Sequence, residues 1–390
     1  MSWFSWSNWA RFYKALWGLQ GPRALPEAAL RAGMGLLHGA TWALGQPAPP
    51  ASRALLIVGH QRSGTTWLHR MLSACAGAVA TPLHALAFPA DAIQTPLEWI
   101  RRPAWFDRAQ DRLFGALDPL HRIRLHEHEE DEFLLWALFR SPMNALDRPW
   151  PPDANPGVEG DPIAMDFYAR AIARRLRRAE RTRARALRGR SIDGTVSGAL
   201  TPRRGDAEGA PGADAATPER STETNPGILA PLWYVGKNPH FTHRIPALRA
   251  AIPGIRVVQL VRDPCAAIPS RLSLIRAIWR RRFPGIRALE PHQIQQIYQN
   301  SLRCYRGGHG AADLDLAYAD LVSDPIGSVD RILALMDLDP ADPDLVDRLS
   351  QTRRSGATPH RYTLEEFGLS RPRIAADLAP IFERWGFPRA

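Results

Sequence analysis

Apolar and polar positions divide the chain into a helical start, a series of strand–loop–helix units and the polar stretches between them. Ala54-Leu55-Leu56-Ile57-Val58 is a continuous apolar run, the pattern of a strand buried on both faces of a parallel sheet. A glycine-containing turn follows, and then Trp67, Leu68, Met71, Leu72 and Cys75 recur at helical spacing. A second unit runs from Val257-Val258-Gln259-Leu260-Val261 through Arg262-Asp263-Pro264 into a helix carrying Leu272, Ile275 and Ile278. A third passes from Leu314-Asp315-Leu316-Ala317-Tyr318 to a helix with Val329, Ile332, Leu333 and Met336. Strands alternating with helices predict a three-layer α/β/α fold with a central parallel sheet.

The flanking segments read differently. Residues 1–48 form a helical N-terminal extension in which Trp3, Trp6 and Trp9 recur every three residues, followed by Phe12, Leu16 and Trp17. The first expectation is a helix docked on its own domain. The second is peripheral membrane contact through residues 1–20. Gln46–Ser52 reads as a linker, leaving 50–390 as one domain. Residues 170–190 are a basic helical stretch, expected to be a solvated face. Residues 201–226, rich in Gly, Ala, Pro, Asp, Glu and Thr, predict a flexible or lid-like insertion.

Composition narrows the function classes. The formal net charge of +11 comes almost wholly from arginine, because Lys14 and Lys237 are the only lysines. An arginine-biased composition accounts for much of it; attraction to an anionic ligand is the functional reading. Zinc-finger spacing, an RRM signature and a clear helix-turn-helix are lacking, so no nucleic-acid partner is expected. Cys75, Cys265 and Cys304 lie far apart with no CxxC pair, which predicts reduced thiols and no metal site. No apolar run approaches the roughly 20 residues that cross a bilayer, and the start lacks the pattern of a secretory signal. The expected location is cytoplasmic, peripheral to the inner membrane face if the Trp-rich start engages lipid.

Candidate chemistry begins at Gly59-His60-Gln61-Arg62-Ser63-Gly64-Thr65-Thr66, which follows a strand and opens a helix. Backbone N–H groups and the helix dipole hold phosphate in such a place. The spacing matches the P-loop, but Thr65 stands where the P-loop demands lysine. That argues against a nucleotide kinase or NTPase, which uses the lysine on the terminal phosphates. Arg62 supplies positive charge instead. In the second unit, Arg262 at a strand end and Ser270 eight residues later can grip a separate phosphate. Two anion sites on neighbouring strands suit a nucleotide phosphorylated at both its 5′ and 3′ positions.

These motifs, R-S-G-T-T-x-L at Arg62–Leu68 and V-R-D-P-x-x-x-x-P-S at Val261–Ser270, resemble the sulfotransferases that use 3′-phosphoadenosine 5′-phosphosulfate (PAPS). The likeness is to bacterial relatives of the tyrosylprotein sulfotransferases. It extends to Lys237-Asn238-Pro239, to Tyr318–Pro325 and to the tail His360–Gly368. The resemblance implies a single P-loop-like α/β domain, sulfuryl transfer to an acceptor hydroxyl, PAPS as co-substrate and no metal. It places the 5′-phosphosulfate on Arg62, Ser63, Gly64, Thr65 and Thr66, the 3′-phosphate on Arg262 and Ser270, and the nucleotide against Tyr318.

Sulfuryl transfer needs a base, positive charge at the sulfonate and in-line placement. Arg62 and Lys237 supply charge. Lysine is a compact donor that arginine does not replace at a tight site. The related branch carries a Glu about twenty residues after the loop arginine; here that region reads Thr81-Pro82-Leu83-His84-Ala85-Leu86. His84 is the ionisable group there, and histidine is a competent base near neutral pH. Glu129 and Glu130, in an acidic run before an apolar helix, either favour that helix N-terminus or line the acceptor cleft. The acceptor stays open among small molecules, lipids, glycans and peptide tyrosines, as does the oligomeric state. A non-catalytic membrane-associated binding protein is the remaining alternative.

Overall fold

The computed structural model describes residues 4–43, 51–87, 107–111, 124–143, 161–196, 231–355 and 362–389, except for single positions 52, 109, 142, 284 and 286. The 201–226 insertion, most of the Gln46–Ser52 linker and His360-Arg361 of the tail motif lie outside the described residues.

In chain order, α1 (Trp6–Gln20) and α2 (Leu25–Ala43) precede the sheet. Then come β1 (Ala54–Gly59), α3 (Thr65–Ala74), β2 (Ala78–Val79), α4 (Leu83–Ala87), α5 (Glu132–Trp136) and α6 (Pro162–Val196). They are followed by β3 (Trp233–Lys237), α7 (Ile245–Ala251), β4 (Arg256–Val261), α8 (Pro264–Arg282), α9 (Pro291–Gly308) and β5 (Leu314–Ala317). Helices α10 (Tyr318–Ser323), α11 (Pro325–Ala334), α12 (Pro343–Ser355), α13 (Arg371–Asp377) and α14 (Ala379–Trp385) follow, and short 3-10 turns lie at Gly21–Ala24, Pro239–Arg244 and Glu365–Phe367.

The strands stand in the order β2-β3-β1-β4-β5, and every pairing is parallel. Each position of β1 is fully buried, as its unbroken apolar sequence requires. Alternation sorts its side chains into two layers. Leu56 and Val58 pack against Leu134 of α5, Phe167 and Tyr168 of α6 and Ile245 of α7. Leu55 and Ile57 face Leu68 of α3, Val329 of α11 and Val346 of α12. Two strands escaped the sequence reading. β2 has only two residues, and β3 is the short Trp-Tyr-Val-Gly-Lys run.

A third apolar cluster sits beside the sheet, where α1 joins α8, α9, α13 and α14. The stripe on α1 divides: Phe12 and Leu16 are buried there, while Trp6 and Trp17 are exposed. The Ser5 hydroxyl starts this helix by accepting the Asn8 N–H. Helix α8 starts in the same way, with the Asp263 carboxylate accepting the Cys265 N–H at 2.8 Å and Pro264 in the first turn.

The topology also creates the crevice. The chain lays β2 and β3 on one side of β1, then crosses to place β4 and β5 on the other. In open α/β sheets, ligands bind outside the carboxyl ends of strands at such a reversal. Gly59, Lys237, Val261 and Ala317 end four neighbouring strands there.

Candidate active site

The loop after β1 is shaped by two glycines. Gly59 has φ +135°, and a side chain there would collide with the Leu260 carbonyl of β4. Gly64 has φ +91° and caps α3 without a side-chain hydrogen bond, so no capping side chain occupies the first N–H groups of α3. A Cβ on Gly64 would sit 2.8 Å from the Tyr318 ring. Between the glycines, Arg62 is held at φ +71°, a conformation non-glycine residues adopt only under constraint.

That constraint joins the two sequence motifs. Arg62 Nε donates to Ser270 Oγ at 3.1 Å, and Arg262 Nη1 donates to the Arg62 carbonyl at 2.7 Å. The Arg262 guanidinium lies 4.7 Å from the centre of the Tyr318 ring. Arg62, Gly64, Arg262, Ser270 and Tyr318 therefore form one connected surface. Ser63 and Thr65 are buried in the loop, so their side chains shape it from within.

On the other side of β1, Lys237 ends β3 in register with Ile57. Its side chain is fully buried, yet its Nζ donates to Thr66 Oγ1 at 2.8 Å and lies 3.5 Å from Glu130 Oε1. The lysine that the loop lacks in sequence thus arrives from the next strand. Its backbone is fixed as well: the Lys237 carbonyl accepts the Asp131 N–H, and Asn238 N–H donates to the Ile57 carbonyl. Asn238 Nδ2 also donates to Glu132 Oε2 at 2.7 Å.

The acidic run splits by role. Glu130 reaches Lys237 and keeps 17% of its side chain exposed. Glu129 is fully buried, and its charge acts on His69 and His128. Burial, and then the Lys237 charge, push His69 down to about 3. Asp131 accepts the Tyr168 hydroxyl at 2.6 Å, and burial pushes its carboxyl up to about 7. Burial also raises Glu132, against the pull of Arg244.

His84 lies on α4, in a segment zipped to residues 124–128. Leu83 N–H donates to the Glu127 carbonyl, and Pro82 pairs with His128. The backbone N–H of His84 and its Nδ1 both bond the Leu125 carbonyl, the ring at 2.8 Å. The proton on Nδ1 makes Nε2 the accepting nitrogen. His84 is therefore packed against the segment that leads into the Glu run, and it is itself buried.

Sequence reasoning passed over several supports. Tyr305 donates to the Arg262 carbonyl at 2.9 Å and stacks on the buried His60 ring at 5.0 Å. Burial, and then the Arg271 charge, hold His60 and His240 well below the usual imidazole range. The Thr242 hydroxyl accepts the Gly59 N–H at 2.8 Å, tying the exit of β3 to the loop. Among them, His60 and Asn238 carried a signal in sequence, as members of motifs already singled out.

The arrangement can hold an extended polyanion and present an ammonium and a carboxylate at its end. The comparisons agree with that chemistry. A family model described as a sulfotransferase family matches residues 54–343. The fold is similar to that of a sulfotransferase from Mycobacterium tuberculosis, with TM-score 0.60, 19% identity, and coverage of 96% of this chain and 90% of that one. A sulfotransferase from Mycobacterium avium gives TM-score 0.57 at 16% identity, covering 99% of this chain and 86% of that one. No curated protein sequence matches.

Proposed function

The chain belongs to the sulfotransferase family and transfers a sulfuryl group from a sulfonate donor, and from that premise we propose that the donor is PAPS, seated across the Arg62–Arg262 surface. The observation that carries this reading is the pair of bonds from Arg62 Nε to Ser270 Oγ and from Arg262 Nη1 to the Arg62 carbonyl. They merge the two anion motifs into one continuous site, as a nucleotide phosphorylated at both ends requires.

In this reading the 3′-phosphate lies on Arg262 and Ser270, and the 5′-phosphosulfate lies on Arg62, Gly64, Thr66 and the open N–H groups of α3. Tyr318 bears on the nucleotide. The acceptor oxygen attacks sulfur as the bond from sulfur to the bridging phosphate oxygen breaks. Lys237 and the α3 amides offset the charge that develops on that oxygen. The hydroxyl proton passes to a base on the facing wall. Glu130 is favoured by its contact with Lys237; His84, through Nε2, is the second reading, favoured by the Nδ1 bond that fixes its tautomer. Glu129, being fully buried, acts on the site through its charge. The acceptor is a hydroxyl of a small molecule, lipid or glycan. No metal has a role in these steps.

Calorimetric titration with adenosine 3′,5′-bisphosphate, without added metal, tests the donor site. The expected outcome is micromolar binding that Arg262→Ala weakens at least tenfold, about 1.4 kcal/mol. A folded wild type that ignores this nucleotide but turns over ATP with Mg²⁺ would overturn the proposal.

A further inference from the structure

Helix α2 is built inside out. Its inward stripe holds Ala28, Gly35 and the buried Arg31, whose guanidinium lies 3.8 Å from the Trp136 ring centre and pairs with Glu27 at 3.2 Å. Through residue 37, the outward face carries only leucine, alanine, proline and glycine. Leu25, Leu30, Leu36 and Leu37 are 56%, 64%, 61% and 42% exposed. A helix on a water-facing surface turns its charges outward; this one turns them inward.

The neighbouring helix carries exposed apolar residues as well. Trp6 and Trp17 of α1 are exposed, and Lys14 shares their stripe. Six of the eight large hydrophobic residues exposed among the described residues fall within 6–37, too concentrated for scattered surface apolar residues. The charges around them have one sign. Arg11, Lys14 and Arg23 are exposed, and Glu27, already tied to Arg31, is the only acidic residue before position 44.

We propose that the outer face of α1 and α2 seats the protein on an anionic lipid surface, with α2 lying in the headgroup plane. Leucine and tryptophan enter the interface, and the cations meet lipid phosphates. No helix among the described residues is long and apolar enough to cross a membrane, so α2 lies on the bilayer rather than through it. A second copy fits less well, because a two-fold pairing would set the basic surroundings of Arg11, Lys14 and Arg23 against an identical set of cations. This surface is independent of the donor assignment.

The test is co-sedimentation of the full-length protein with phosphatidylglycerol–phosphatidylcholine vesicles and with pure phosphatidylcholine vesicles. The wild type is expected to bind the anionic vesicles at least tenfold more tightly, and rising salt is expected to weaken that binding. The double variant Leu30→Glu/Leu37→Glu is expected to lose at least tenfold with an unchanged melting temperature. Should that variant misfold, Trp17→Ser carries the same test at an exposed position. Wild type left in the supernatant with both vesicles overturns the proposal, as does equal binding to both. A dimer in analytical ultracentrifugation that the double variant dissolves, with no vesicle binding, assigns the face to a second copy instead.

Discussion

Lys237 is the residue on which the proposed chemistry turns. A fully buried ammonium is costly unless paired, and this one is held by Thr66 Oγ1 and the Glu130 carboxylate. Lys237→Met is expected to lower kcat by roughly a hundredfold to a thousandfold, the range for one lost charge-stabilising donor. Its affinity for adenosine 3′,5′-bisphosphate, whose 5′-phosphate keeps the leaving oxygen, is expected to fall as well, but by less than kcat falls. The base is separated by two variants assayed with PAPS and a phenol as acceptor. Glu130→Gln is expected to reduce kcat by roughly a hundredfold or more, while His84→Gln is expected to lower it by less than about tenfold. The opposite pattern assigns the base to His84. Lys237 stood out in sequence as one of two lysines. Its neighbours did not, because Thr66, Glu130 and Lys237 are separated by 64 and 107 positions.

At the scale of elements, α1 behaves as two faces of unequal value. Phe12 lies 5.2 Å from the Phe139 ring centre and beneath the Arg31 guanidinium, within the cluster shared with α8 and α9. Phe12→Ala is expected to destabilise the protein by about 3 kcal/mol, the cost of emptying a large aromatic site. Trp17→Ala, at 50% exposure, is expected to stay within about 0.5 kcal/mol. Denaturant midpoints of the two variants check this; equal midpoints would mean that α1 is not part of the core. The apolar spacing of residues 6–17 predicted a helix, since period alone dictates one. Which side faced inward depended on Phe139 and α8, partners that spacing does not identify.

For the whole molecule, the buried acid Asp131 links stability to pH. Its carboxyl is pushed from near 3.8 up to about 7 by burial. Its stabilising contribution is complete below the lower value and is lost as pH rises towards the upper one, because the unfolded chain ionises first. The unfolding free energy of wild type minus that of Asp131→Asn is therefore expected to fall between about pH 4 and pH 7, then level off. Urea unfolding across that range measures it, and a flat difference would mean that Asp131 ionises freely in the native state. The sequence by itself determined the α/β alternation, the strand of the Gly59–Thr66 loop, the Arg262 strand end and the family they resemble. All of these are local patterns of period and turn chemistry. Tertiary structure alone decided that β3 lies beside β1, bringing Lys237 to Thr66, and that Arg62 and Ser270 touch. It also turned the apolar face of α2 outward. Each of these is a contact across a long stretch of chain, fixed by strand order and helix packing rather than by the residues on either side.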